Sequence, residues 1–168
     1  MRNSRIAFIG FGLGLLALVL FIIFHPSEEK RVRKTFDRVA ELLAKDGDEP
    51  ILTTAAKANG LSGLIAPKMN LDVKELGVSH TYDPTELAQY ATMMRSHERH
   101  ITVTFSEISV DFPADKDNTA SVLGNVAVDA DHHLGFKDKE ARTFEATLRK
   151  DVESDTWQFK GVKVHRVN

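Results

Sequence analysis

Any chemistry this chain performs has to come from a short roster. It holds seven histidines, two tyrosines, one tryptophan, its carboxylates and no cysteine. Without cysteine there is no disulfide, no thiolate nucleophile and no thiolate-held metal. His97 and His100 stand three apart in Ser96-His97-Glu98-Arg99-His100. That is not the H-E-x-x-H order that sets two histidines and a glutamate on one helical face, and no third ligand presents itself. His132-His133 follows Asp129 and Asp131 and reads as part of an exposed loop, while Asp115-Lys116-Asp117-Asn118 lacks the glycine and final glutamate of a calcium loop. No metal and no other cofactor is expected.

Proton transfer inside an apolar pocket needs a carboxylate base and a tyrosine or protonated acid aimed at the developing oxyanion. The apolar parity of the strand-like segments is occupied instead by Ile101, Val103, Phe105, Val122, Val126, Val128, Phe144, Ala146 and Leu148. No catalytic residue is nominated. What remains is a set of ligand-contact candidates: His80 and Tyr82 before a capped helix, Tyr90 and His97 on that helix's stripe, and Trp157. Each also has a plainer role. Tyr82 serves equally as a packing residue, Trp157 reads first as core, and His97 as a helix-end histidine.

The elements that must position these residues follow from periodicity. Val32, Phe36, Val39 and Leu43 recur at helical spacing behind Ser27, with Glu28 and Glu29 in the first turn and Asp46-Gly47-Asp48 as the stop. Arg31, Lys34 and Arg38 form a basic stripe on the same helix; it is a solvated face or a contact for anionic headgroups. Pro50 opens a shorter helix over 51–58, which Asn59-Gly60 is expected to end, with a further turn over 61–65 and a short strand over 69–73. Asp83-Pro84-Thr85-Glu86 is a capping box with proline at the first helical position. From His100 the period changes to two. Four long strands follow, with bulges expected at Ser106-Glu107 and Gly161 and a polar loop over 129–139.

Ahead of all this, 19 apolar residues run from Ile6 to Phe24. As a helix they cover about 29 Å, enough for one bilayer crossing. The exit Phe21-Ile22-Ile23-Phe24-His25-Pro26 offers no small-residue cleavage site, so an uncleaved anchor is expected in preference to a removed signal. Basic residues flank both ends. The short head with Arg2 and Arg5 favours an N-in, C-out orientation, with the domain on the periplasmic side of an inner membrane. The organisation is thus a head at 1–5, a single-pass transmembrane anchor at 6–24 and one domain at 27–168. With Arg2 and Arg5 set aside, 20 basic residues face 24 acidic ones, a balance unlike that of a nucleic-acid binder.

Helices first and strands after imply an α+β domain with helices packed on one face of a bent antiparallel sheet. The element order, the bulged strand over 101–112 and the closing hairpin "LRKDVESDTWQFKGVKV" together resemble the nuclear transport factor 2-like (NTF2-like, SnoaL-like) superfamily. Its turn lacks the glycine that often follows the aspartate there. The resemblance implies a cone and, on its exposed sheet face, a homodimer surface. It covers ketosteroid isomerases and polyketide cyclases as well as non-catalytic domains. The function expected is a membrane-tethered, non-enzymatic module that binds a protein partner or assembles with membrane proteins. The alternative is a ligand carrier or enzyme using the cone interior, favoured if that interior is hollow.

Overall fold

The structure, a computed structural model, describes residues 27–132 and 137–166. The apolar run at 6–24 and His133 lie outside the described residues, and among those described no helix is long and apolar enough to cross a membrane.

Helix α1, Glu28–Leu43, buries Val32, Phe36 and Val39 of the expected stripe together with Thr35, but at its end Leu42 is buried where Leu43 was expected, and Leu43 is half-buried. After the two-residue strand β1, Lys45–Asp46, comes α2, Ile51–Ser62. It runs through Asn59-Gly60 and does not stop there. Gly60 serves close approach, since a Cβ on it would lie 2.8 Å from the Leu42 side chain of α1.

Strand β2, Ile65–Val73, begins four residues earlier than its alternation suggests. Pro67 reads as a break, yet it is exposed and falls where the ladder to the neighbouring strand is interrupted, between Ile65 and Asn70, so its missing N–H disrupts no pairing. A single 3₁₀ turn, Lys74–Leu76, leads through Gly77 (φ 65°) into β3, Val78–Tyr82, a strand the sequence did not announce. Helix α3, Pro84–His97, starts at the expected box. Asp83 accepts from the Thr85 and Glu86 amides at 2.7 and 2.9 Å, and Glu86 accepts from the Asp83 amide at 3.1 Å.

The four long strands are β4, Glu98–Asp111; β5, Thr119–His132; β6, Lys137–Asp151; and β7, Thr156–Arg166. Both expected bulges are present, at 106–109 against β5 and around Lys160-Gly161 against β6. Glu107 takes φ 52° in the first. The stretch expected as a loop over 129–139 is mostly strand, because Asp129, Ala130 and Asp131 pair across to Lys139, Asp138 and Lys137. At the hairpin over 151–156, Asp155 adopts φ 53°, the conformation a glycine would supply, and Asp151 accepts from the Ser154 hydroxyl at 2.6 Å and the Glu153 amide at 3.2 Å.

The sheet has seven strands in the order β1-β4-β5-β6-β7-β2-β3. It is mixed, which corrects the expectation of a purely antiparallel sheet. β2 runs parallel to β7, while the other neighbours are antiparallel. The closing strand of the meander therefore pairs with the strand that follows α2, a contact that local periodicity does not encode.

Candidate functional site

Between the helices and the concave side of the sheet is a cavity of about 420 Å³. Its floor is aromatic. Phe36 of α1 lies 5.2 Å from the Phe105 ring of β4, 5.3 Å from Phe144 of β6 and 5.0 Å from Phe159 of β7. Phe144 can lie flat against the sheet because its partner across the ladder is Gly124, where a Cβ would stand 2.9 Å from the ring. The glycine at that strand position is a device for placing the floor, not a turn residue.

The mouth is set by β3 and α3. Tyr82 and Tyr90 meet edge to face at 5.6 Å, and both line the cavity; Tyr90 is 56% exposed and Met94 45%, so the wall reaches solvent on this side. His80 meets Tyr82 edge to face at 4.6 Å but is exposed, and it lines a separate groove and not the cavity. That groove, about 850 Å³, is walled by side chains of mixed charge such as Asp72, Glu145, Lys160 and Lys163. The smaller cavity is the candidate site because buried apolar side chains from helices and sheet surround it.

Of the five ligand candidates, the structure thus brings Tyr82 and Tyr90 to the cavity wall. His97 is exposed at the end of α3, and Trp157 is 4% exposed in the core beside Phe112 at 5.9 Å; neither lines the cavity. On the basic stripe, Arg31 donates to Glu28 at 3.0 Å, Arg38 donates to Glu41 at 2.6 Å and Lys34 is exposed. His100 sits 3.5 Å from Asp46 and 2.9 Å from the Thr102 hydroxyl. Among the described residues no three histidines, aspartates or glutamates gather as metal ligands would.

Sequence reading missed the cluster that holds the helical layer over the cavity. Arg95, 2% exposed on α3, donates to the last carbonyls of α1: Leu42 at 3.0 Å, Leu43 at 2.7 Å and Ala44 at 3.0 Å. It also donates to the Glu49 carboxylate, which takes a second bond from Lys57 at 2.7 Å. Lys45 returns the arrangement. Its ammonium donates to Arg95 O at 2.7 Å and Glu98 O at 2.6 Å, where α3 ends. Each helix C-terminus, the negative end of its dipole, is thereby met by a buried cation from the other segment. Burial pushes the Glu49 carboxyl up, but the bonds from Lys57 and Arg95 together outweigh it and leave the group below its ordinary value of 4.5. An arginine two residues before a helix end carries no signal in sequence that its partners lie some fifty residues away.

No family profile matches the chain, and no curated protein resembles it in sequence. Solved structures do resemble it in fold. A candidate scytalone dehydratase from Novosphingobium aromaticivorans superposes with a TM-score of 0.68 at 13% identity, covering 84% of this chain and 85% of that one. A hexachlorocyclohexane dehydrochlorinase, LinA type 2, gives 0.63 at 8% identity over 82% and 84%. A variant of Rd1NTF2_05 gives 0.53 at 15% over 82% and 99%. The three helices and the curved mixed sheet are those of an NTF2-like cone. At these identities the likeness establishes the fold alone.

Proposed function

We propose that this chain is a non-catalytic binding domain that takes an apolar small molecule into its cone, and that residues 6–24 tether it to the periplasmic face of an inner membrane. The ligand reading is carried by the cavity itself. About 420 Å³ of space is walled by aliphatic and aromatic side chains, and among the described residues that line it two phenols are the only groups able to exchange a proton. A phenol hydroxyl orients a ligand by hydrogen bonding but does not replace the carboxylate or imidazole that general base chemistry uses. Two of the similar structures carry enzyme names, but this chain's described wall holds no carboxylate or imidazole with which to work as a general base.

Titration with Nile red, a neutral solvent-sensitive dye, tests the reading. Saturable enhancement is expected from the wild type. Ala91→Leu, which pushes a larger side chain into the cavity from α3, should weaken binding about tenfold with the circular dichroism unchanged. A folded wild type that gives no saturable signal removes it.

An assembly role is the second reading, and a different surface favours it. Helices α2 and α3 carry few charges. Lys57 and Arg95 are spent in the Glu49 cluster, and Glu86 in the capping box. Between the two helices a groove of about 730 Å³ has Ala55, Ala58 and Ala88 in its walls, with Ile51 87% exposed and Met93 54% exposed beside them. Large next to small on one patch is self-complementary about a two-fold axis, so the occupant is a second copy of this chain. Sedimentation velocity at rising concentration should show a dimer that Ile51→Glu returns to monomer. A wild type that stays monomeric throughout rules this out.

A further inference from the structure

We infer that the open edge of β3 is a docking site for an extended segment of a partner protein, which joins the sheet antiparallel to β3 with an apolar residue at every second position. The inference is independent of what the cone holds. The sheet ends in β1 on one side and in β3 on the other, and the two edges are not alike. At the first, β1 covers β4 at His100 and Ile101, and farther along the bulge at 106–109, where Glu107 takes φ 52°, interrupts the regular template. β3 has no such protection. Its residues from Val78 to Tyr82 pair in unbroken register with β2, and among the described residues no strand pairs with the opposite side. Val78-Ser79-His80-Thr81-Tyr82 contains no proline, lysine, arginine or carboxylate, and Ser79, His80 and Thr81 are exposed. The main-chain groups left open along such an edge call for another strand.

β2 shows what β3 accepts. Met69, Leu71 and Val73 stand opposite Tyr82, His80 and Val78, whereas Asn70 and Asp72 stand opposite Thr81 and Ser79. Successive side chains of a strand turn to opposite faces, so one face of β3 takes apolar partners and the other takes polar ones. A strand added on the open side meets the same two faces. On the apolar face Tyr82 meets Tyr90 of α3 edge to face, and Tyr90 and Met94 are exposed surface that an incoming apolar side chain covers. On the polar face Ser79 and Thr81 line the mixed-charge groove. Charge sets the direction. β3 runs into the exposed Asp83 and Glu86, so a basic residue at the start of an antiparallel segment comes to the acidic end, as Lys68 precedes Met69, the partner of Tyr82.

The probe is a fluorescein-labelled peptide with the sequence of residues 68–73, Lys-Met-Asn-Leu-Asp-Val, added to the full chain. Its anisotropy should rise to saturation. Amide hydrogen exchange followed by NMR should slow about tenfold at alternate residues of 78–82, those whose N–H does not already point to β2. Neighbouring amides of a strand point to opposite edges, so one peptide N-methylated at its asparagine and aspartate and another N-methylated at its methionine, leucine and valine are blocked on opposite sides. One of the two should bind about tenfold more weakly than the other. No saturable binding, binding that slows exchange in β4 and not in β3, or equal binding of the two methylated peptides overturns the inference. So does slowed exchange over 78–82 that appears with rising protein concentration alone, which makes the occupant a second copy of the chain.

Discussion

Replacing Arg95 by leucine is expected to lower the free energy of unfolding by about 3–5 kcal/mol, because it leaves the half-buried Glu49 carboxylate with Lys57 alone and takes the side-chain donor from the Leu42 and Leu43 carbonyls at the end of α1. Urea denaturation read by circular dichroism measures it. Arg95→Lys should recover little, since a single ammonium cannot reach Glu49 and the three carbonyls together. A double cycle with Glu49→Gln should show strong coupling, as the two groups share one network. The same cluster sets a pH dependence. Glu49 titrates below 4.5 in the folded protein, so its contribution is complete above that value and is lost as pH falls through the lowered one. A loss below about 1 kcal/mol for Arg95→Leu would mean that the cluster is incidental to stability.

Phe36→Ala should cost a similar amount, about 3–5 kcal/mol. The side chain is 1% exposed and touches three other rings, so truncation removes burial and edge-to-face contact together. The hole opens into a cavity that already exists, which adds a consequence specific to this fold. Saturating Nile red should raise the melting temperature of Phe36→Ala, because a ligand that binds only the folded state stabilises it by mass action. A variant whose melting point is unmoved by the ligand, alongside a wild type that responds, would place the ring away from the bound molecule.

Much of the fold was legible in the residues themselves. The stripe of α1, the box at Asp83, the bulges at 106–109 and near Gly161, and the four long strands are written in local spacing and turn chemistry. Three features misled. Gly60 looked like a helix stop but makes room for Leu42, Pro67 looked like the stop of a helical turn but lies inside a strand at a gap of the ladder, and the charged tip over 129–139 looked like a loop but pairs strand to strand. In each, a contact distant in sequence outvoted a local signal.

By itself the sequence determined the order of the three helices and four long strands, the bulges that bend the sheet, the apolar run at 6–24 and the absence of thiol chemistry, because composition and short-range periodicity act within a few residues. Only the tertiary structure decided that β2 closes the sheet in parallel against β7, that Arg95 reaches back to cap α1, and that a pocket opens between the helices and the sheet. Periodicity says which side chains turn inward. Whether they meet or leave space between them depends on how far apart the layers stand, and that distance is set by pairings made across the whole chain.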